Sequence, residues 1–189
     1  QRSSSTPHAA STTTSPAGKE RMGKRHLKKD LLSIVAAHHI PYAAAASVAF
    51  PADLQRKVRY AMGIEGPTFL VVHSPCPLGW QHDSAQTIEV ARRAVECGLF
   101  PVVEMERGSV TNVMPIRNIR PVSDYLELQG RFRHLFQTDD PRARAERDHL
   151  QALADYNIAV FGLTGSGEDP VDTAGISTVG RGGIVANGG

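Results

Sequence analysis

The chain has 189 residues, the size of a single domain and enough to bury a sizeable core. Hydrophobic residues make up 41% and charged residues 21%, proportions that exclude both wholesale disorder and a bundle of membrane helices. A net charge of +2 is too small to indicate nucleic-acid binding by itself.

The amino-terminal part is polar and basic. Ser and Thr fill nine of the first fifteen positions, which predicts an extended loop over residues 1–18. Residues 1–60 hold ten Lys and Arg against three Asp and Glu, a net charge of +7, whereas the rest of the chain carries −5. Six of the ten lie between Lys19 and Lys29, where they could meet a phosphate or an acidic protein, although a solvated surface is favoured.

A helix and a strand are predicted next. Helical periodicity begins at Asp30, and because Pro41 cannot continue it, the helix should end near His39. The short apolar run over residues 42–48 suits a buried strand. The predicted inner face of the helix consists of Leu31, Ile34, Val35 and His38.

A second helix and a second strand follow in the same order. Pro51 occupies a favoured first helical position, and Gly63 ends the helix. Residues 68–73 are continuously rich in β-forming types, which is typical of a parallel strand covered on both faces. The predicted inner face of this second helix consists of Leu54, Val58, Ala61 and Met62.

The next elements are a helix and a hairpin. Ser84 is predicted to cap a helix that ends at Gly98. Residues 100–106 and 110–114 flank a short Gly-containing turn, so they are predicted to form a β-hairpin. The predicted inner face of the helix consists of Ile88, Ala91 and Val95.

Two helices close the predicted fold. Ser123 should cap a helix that runs through Leu135, and the last helix begins at Pro141. The apolar face of the last helix consists of Leu150, Leu153, Ala154 and Ile158. The alternation of helices and buried strands predicts an α/β sandwich with a mostly parallel sheet, to which the hairpin makes an antiparallel addition.

Cys76 is the first candidate for chemistry. Ligands of open α/β sheets bind beyond the carboxyl ends of strands, and the prolines beside Cys76 hold its thiol on a stiff loop there. As a nucleophile it would need His73 or His82 as a base; as a zinc ligand it would need three partners that the sequence does not space suitably. A four-iron cluster would need thiolates from outside this sequence, and an ordinary buried thiol remains the simplest reading of a lone cysteine.

The remaining chemistry-bearing residues are predicted to be structural. Cys97 should be a core thiol, His38 and His39 should favour a helix end, and Glu104 and Glu106 should share the solvated face of the hairpin. Two cysteines imply no disulfide framework, so a reducing cytoplasm is expected. Nucleotide-binding and acyl-transfer motifs are missing from the core, and the longest uncharged run, 13 residues, is too short to span a bilayer.

Four segments of this sequence resemble one enzyme family. QRSSSTPHAASTTTSPAGK at residues 1–19 resembles the stretch after the thiamine-diphosphate motif of 2-oxoacid:ferredoxin oxidoreductase β subunits, where TGGQxSxxTPxGAxT is typical. Residues 28–47, 53–80 and 125–135 look like the pyruvate type, and the run GPTFLVVHSPCPLGW at residues 66–80 separates this family from other thiamine enzymes. Leu78 stands where Thr is usual, a departure that bears on the substrate more than on the family.

The resemblance implies a three-layer fold of the thiamine-diphosphate-binding type, here incomplete. Residues 1–97 would be the end of that domain, residues 98–163 a carboxyl-terminal extension, and residues 164–189 a Gly-rich tail, expected to be disordered. Gln1 would border the cofactor, and Cys76 would complete a [4Fe-4S] cluster with three upstream cysteines. Those cysteines and the segments that hold Mg²⁺ and diphosphate are not in this sequence, so a fragment that is inactive alone is expected.

The implied activity is the oxidative decarboxylation of pyruvate. Pyruvate, coenzyme A and oxidised ferredoxin would give acetyl-CoA, carbon dioxide and reduced ferredoxin, with thiamine diphosphate doing the carbon chemistry. The implied partners are α, γ and δ-type subunits and ferredoxin, without nucleic acid or membrane. The alternatives are a branched-chain 2-oxoacid:ferredoxin oxidoreductase subunit and a noncatalytic assembly or binding module.

Overall fold

Four strands form one mixed sheet in the computed structural model, which describes residues 6–165. The strands are β1 (Tyr42–Ser47), β2 (Thr68–His73), β3 (Val103–Glu106) and β4 (Ser109–Val113). The spatial order is β2-β1-β3-β4, with β1 parallel to β2 and antiparallel to β3, and with β3 and β4 antiparallel. The predicted α/β class, with a parallel pair and an antiparallel hairpin beside it, is confirmed.

Six α-helices accompany the strands in the described part of the chain. They are α1 (Leu31–Ala36), α2 (Pro51–Met62), α3 (Pro77–Trp80), α4 (Thr87–Glu96), α5 (Val122–Leu126) and α6 (Pro141–Phe161). Two 3₁₀ segments add to them, Ser84–Gln86 and Gly130–Leu135. None of the helices in residues 6–165 combines the length and the apolar character that a bilayer span requires.

The central strand β1 shows how the layers are built. All six of its residues are buried, and four of them are Ala, whose small side chains let helices approach both faces of the sheet. Ala43 and Ala45 belong to the main core with α1, α4, α5 and α6, whereas Tyr42 and Ala44 pack with Ala61 of α2. This alternation follows from the two-residue period of a strand and produces three layers.

The predicted inner faces of α1 and α2 are only partly confirmed. α1 buries Leu32 and Ala36, while Ile34 is 50% exposed. α2 buries Ala61 as predicted, but its other buried residue is Lys57. A periodicity argument counts only apolar residues, so it cannot find a helix face that is buried through ion pairs. The predicted inner residues that are exposed in α2 are Val58 and Met62.

Strand β2 is less covered than predicted. It lies at the edge of the sheet, four of its six residues are half-buried, and Thr68 and Val72 are exposed. The prediction of a strand covered on both faces is therefore wrong for the described residues. An edge strand pairs on one side only, so its apolar composition does not require full burial here.

Two predicted helix limits also change. Asp83, not Ser84, provides the cap, because its side chain accepts a hydrogen bond from Ala85 N at 2.9 Å and a 3₁₀ turn precedes α4. α4 buries Val90, Ala91, Ala94 and Val95, and Ile88 is exposed. The helix predicted from Ser123 to Leu135 is two segments, α5 and a 3₁₀ helix, because Gln129 between them has extended backbone angles (φ −125°, ψ 118°).

The hairpin and the last helix agree with their predictions. β3 and β4 pair across the predicted turn, and α6 begins at Pro141 behind the Asp140 cap. Leu150 and Ala154 of its predicted apolar face are buried. The predicted tail lies outside the described residues from residue 166 onward, as does Gln1.

Candidate functional site

Cys76 lies where the sequence places it, just beyond the carboxyl end of β2. Pro75 is buried and anchors the turn, whereas Cys76 is an exposed free thiol in extended conformation (φ −107°, ψ 108°). The backbone N–H of Trp80 donates to the Cys76 carbonyl at 2.9 Å, which closes α3 as a single helical turn. The thiol is therefore presented outward by a short, stiff segment.

His73, the last residue of β2, packs among aromatic rings. Its ring centroid lies 4.7 Å from that of Phe100, 5.4 Å from that of Trp80 and 6.5 Å from that of Tyr125. Burial, reinforced by the charges of Lys28 and Arg131, lowers the pKa of His73 to about 3. An imidazole with this pKa is a weak base, so the nucleophile interpretation of Cys76 loses one of its two candidate bases.

The second candidate base, His82, is turned toward the backbone. Its Nδ1 lies 2.8 Å from the Asp83 carbonyl oxygen, so this nitrogen carries the proton and donates. Its Nε2 is buried without a hydrogen-bond partner among the described residues. The described contacts include no hydrogen bond between His82 and Cys76, so a catalytic pair of the Cys–His kind is not assembled within residues 6–165.

Arg131 fixes the Cys76 turn from behind, and sequence reasoning missed it. The guanidinium carbon lies 3.9 Å from the centroid of Trp80, which is a close cation–π contact. Arg131 is 2% exposed, and its Nε donates to Gln129 Oε1 at 2.9 Å. The neighbouring Gly130 N–H donates to the Gln81 carbonyl at 2.9 Å, so this 3₁₀ segment holds the far end of the turn.

The contacts of Gly130 with Gln81 and of Arg131 with Trp80 form a clamp on the Cys76 turn, and replacing Gly130 by Ala should disturb it. The added Cβ would lie 2.7 Å from Gln81 Cβ, a contact that rotation of the Gln81 side chain cannot relieve. We expect the free energy of unfolding to fall by about 2 kcal/mol, a typical cost of overpacking. Urea unfolding measures the loss, and the fluorescence of Trp80 reports the displaced turn. Gly18→Ala is the control because nothing lies within 4 Å of its Cβ; equal stability of the two variants would contradict the clamp.

A cavity of about 100 Å³ lies behind the Cys76 turn. His73, Trp80 and Arg131 contribute to one wall, and the segment around Lys28 reaches it from the amino-terminal loop. The other aromatic residues of its lining are His8, Phe100, Tyr125 and Phe132. The strand end thus combines an outward thiol with an inward pocket that is aromatic and basic.

The described residues do not form a complete metal site at this end of the sheet. Within residues 6–165, no three His, Cys, Asp or Glu side chains lie close enough together to hold a metal ion. Cys97 is buried in the core as predicted, and burial raises the pKa of its thiol to about 12, which disfavours the thiolate that a metal needs. Cys76 is an exposed free thiol, so it could serve as one metal ligand only together with ligands from outside residues 6–165.

The prediction of a solvated hairpin face is wrong for Glu104. It is 5% exposed and accepts hydrogen bonds from Tyr42 Oη at 2.5 Å, Arg56 Nη2 at 2.5 Å and Asn112 Nδ2 at 2.6 Å. Glu106 is half-buried and accepts from Tyr60 Oη at 2.8 Å. Glu104 faces α2 rather than solvent, and this buried network is a second feature that sequence reasoning missed.

The basic stretch is divided between surface and interior. Lys24 is buried, and its ammonium donates to the Thr6 and Leu27 carbonyls. Lys28 Nζ lies 4.9 Å above the Phe100 ring. The solvated interpretation is therefore wrong for Lys24 and incomplete for Lys28. The remaining basic residues of the stretch are exposed: Lys19, Arg21, Arg25 and Lys29.

The two helix-end histidines agree with their structural interpretation. His39 Nδ1 lies 3.0 Å from the Arg107 carbonyl oxygen, so its ring ties the end of the first helical region to the hairpin turn. α1 ends at Ala36, three residues before the predicted end, and the turn that follows it contains the exposed His38 and closes at His39, whose backbone is left-handed (φ 53°). The two adjacent rings therefore lie in different environments: His39 contacts the hairpin turn, and His38 faces solvent.

Together these features describe a three-layer α/β domain, consistent with a fold of the thiamine-diphosphate-binding type, that presents a free thiol at a strand end. The chain is 47% identical over 163 residues to the pyruvate synthase subunit PorB of Methanosarcina barkeri, covering 86% of this chain and 54% of that protein. It is 48% identical over 163 residues to the PorB subunit of Methanocaldococcus jannaschii, with 86% and 52% covered.

Relatives with another name are also similar. The ketoisovalerate oxidoreductase subunit VorB of Pyrococcus abyssi is 45% identical over 141 residues, covering 74% of this chain and 45% of that protein. No family model matches the sequence. The resemblance to the β subunits of 2-oxoacid:ferredoxin oxidoreductases is confirmed by these PorB and VorB relatives, and the chain spans about half their length.

Proposed function

We propose that this chain is part of a pyruvate synthase β subunit, which acts in the oxidative decarboxylation of pyruvate to acetyl-CoA with ferredoxin as electron acceptor. The observation that carries the proposal is the 47–48% identity to PorB subunits along 86% of the chain. The VorB similarity is lower and covers 74% of the chain, so a ketoisovalerate oxidoreductase subunit is the second candidate.

The proposed role of Cys76 is to ligate a [4Fe-4S] cluster. The geometry supports it because the thiol is exposed on a short turn whose two prolines reduce the entropy lost on ligation. Cluster iron is held by thiolates, and the three other ligands would come from outside this chain. Bound there, the cluster would accept single electrons, while the Cys76 turn and its Arg131 clamp would hold one ligand in place.

The remaining parts of the proposal follow from the family resemblance. Thiamine diphosphate with Mg²⁺ would supply the decarboxylation chemistry, and Gln1 would border it. Residues 1–97 would complete the cofactor domain, and residues 98–163 would form the subunit's carboxyl-terminal extension. The subunit would act in the cytoplasm with α, γ and δ-type subunits, ferredoxin and coenzyme A, and this chain alone would be inactive.

Replacing Cys76 by Ala tests the proposal in the full-length subunit assembled with its partners. We expect the complex to lose one cluster's iron and sulfide, and pyruvate-dependent ferredoxin reduction to fall to background, because a thiolate ligand is removed. Ser74→Ala is the matched control, since Ser74 is exposed on the same turn. Unchanged iron content and activity in the Cys76 variant would overturn the ligand role.

The substrate is tested separately with the unmodified complex. If the first candidate is correct, kcat/KM for pyruvate exceeds that for 3-methyl-2-oxobutanoate, the ketoisovalerate of the VorB name. The reverse order would favour the second candidate. Normal assembly with no ferredoxin reduction from either acid would favour the noncatalytic module.

A further inference from the structure

The cavity behind the Cys76 turn carries positive charge without a matching anion. Arg131 is 2% exposed in its wall, and the described contacts give its guanidinium no carboxylate partner. A buried guanidinium is normally paired, because an uncompensated buried charge is costly. The hydrogen bonds it makes, to Gln129 Oε1 at 2.9 Å and from its Nη2 to Tyr125 Oη at 3.4 Å, go to neutral groups.

Lys28 brings a second cation to the same cavity. Its residue as a whole is exposed, so it stands at the mouth, while its Nζ reaches 4.9 Å from the centroid of Phe100 in the wall. The nearby Asp30 carboxylate is engaged at the start of α1, where it accepts from Ser33 N at 3.1 Å. Among the described residues that line the cavity there is no Asp or Glu.

The wall also contains two imidazoles, of which one is paired. Nε2 of His8 lies 2.5 Å from Glu146 Oε2, whereas His73 has an unsatisfied nitrogen. Nδ1 of His73 is buried and has no hydrogen-bond partner within the described part of the chain. The remaining wall is largely aromatic and aliphatic, so water inside would find few partners. Burial lowers the pKa of the Lys28 ammonium, although the Asp30 carboxylate partly opposes this shift, and burial also lowers the pKa of the Arg131 guanidinium.

We infer that this cavity binds a small carboxylate, whose oxygens face Lys28 and Arg131 and whose carbon tail lies against the aromatic wall. A volume of about 100 Å³ is smaller than the 150 Å³ cavity that accepts benzene, so it holds about four to six non-hydrogen atoms. The planar guanidinium of Arg131 can donate two parallel hydrogen bonds to the two oxygens of a carboxylate. The rest of a small carboxylate is apolar and suits the aromatic wall. Phosphate needs donors on every side, and an aromatic wall does not offer them. This inference does not depend on the proposed enzyme function.

The test uses the full chain, whose single Trp is Trp80 in the cavity wall. Sodium acetate is titrated against the chain's fluorescence at constant ionic strength, with sodium chloride and sodium phosphate in separate titrations. We expect a saturable change with acetate and none with chloride at the same concentration. A response to chloride equal to that of acetate, tighter binding of phosphate, or no saturable change would each overturn the carboxylate site.

Variants locate the binding. Lys28→Met should weaken acetate binding about tenfold or more, because one charge-assisted contact is lost. Lys29→Met is the matched control, since Lys29 is the exposed neighbour, and it should leave the affinity unchanged. Arg131→Met should abolish binding, with exposed Arg133→Met as its control. If Arg131→Met does not fold, Lys28→Met decides alone: unchanged affinity there overturns the proposal.

Discussion

Glu104→Ala should lower the free energy of unfolding by about 3 kcal/mol, because it leaves buried partners of a charged network unpaired. The carboxylate is 5% exposed and accepts hydrogen bonds from Tyr42, Arg56 and Asn112, of which Tyr42 is fully buried. The Arg56 side chain is 50% exposed, so solvent can recover part of its interaction. The expected loss therefore lies at the lower end of the range for breaking a buried ion pair.

A second buried charge lies beside Glu104 and adds to its effect. Lys57 is 1% exposed, its Nζ donates to the Ala45 carbonyl at 2.8 Å, and it lies 2.7 Å from Asp53 Oδ2. The second contact is an ion pair by distance although its angles do not fit a hydrogen bond. Glu104 also acts electrostatically on this ammonium. Removing Glu104 thus leaves Arg56 and Lys57 with Asp53 as their one carboxylate partner among the described ion pairs.

The same network makes stability depend on pH. Burial alone would raise the pKa of Glu104, but hydrogen bonds from Arg56, Tyr42 and Asn112 outweigh it and lower the pKa from 4.5 to about 2. A carboxyl whose folded pKa is depressed contributes stability that is present above its unfolded value and is lost as the pH falls toward the folded value. The chain should therefore lose stability between pH 4.5 and about 2, and Glu104→Gln should lose less over that range.

Urea unfolding at pH 7 and pH 3 measures both effects. Glu106→Gln is the matched control, because Glu106 shares the strand face but meets only the exposed Tyr60 hydroxyl at 2.8 Å. The free energy of unfolding of the Glu106 variant at pH 7 should stay within about 0.5 kcal/mol of that of the unmodified chain. Equal losses in the Glu104 and Glu106 variants would show that the buried network does not stabilise the fold.

The sequence correctly predicts the features that depend on local backbone chemistry, such as helix starts and strand ends. Pro51 and Pro141 begin their helices, and the β-rich run that ends at His73 forms a strand with Cys76 beyond it. These features depend on neighbouring residues only, so composition and turn chemistry suffice to predict them.

Features that depend on distant residues could not be read from the sequence. Glu104 is buried because Tyr42 and Arg56, 62 and 48 positions away, converge on it across the sheet. Arg131 is buried because it stacks on Trp80, which has no periodic relation to it. Periodicity records apolar spacing within one element, whereas these polar contacts join several elements, so the charged inner face of α2 and the clamp behind Cys76 were both missed.

Gly98→Ala should destabilise the chain by about 3 kcal/mol, which combines a backbone cost of about 1 kcal/mol with overpacking of about 2 kcal/mol. Gly98 follows α4 with φ +80°, a left-handed conformation that Ala adopts poorly. Its added Cβ would lie 2.7 Å from Ile158 Cγ1 and 3.0 Å from the Ala154 carbonyl oxygen. Both neighbours belong to α6, so relief of the contact would move that helix away from α4.

Two other helix-end glycines separate the causes of that loss. Gly162 has φ +60° and nothing within 4 Å of its Cβ, so Gly162→Ala should cost only the backbone term, about 1 kcal/mol. Gly63 has φ −85° and its nearest neighbour at 3.5 Å, so Gly63→Ala should be neutral or slightly stabilising. Urea unfolding of the three variants should give the order Gly63, Gly162, Gly98 of increasing loss. Phe100 lies in the cavity wall two residues beyond Gly98, so Trp80 fluorescence should change in the Gly98 variant only. An equal loss of unfolding free energy in the Gly162 and Gly98 variants would mean that α6 does not pack tightly against Gly98.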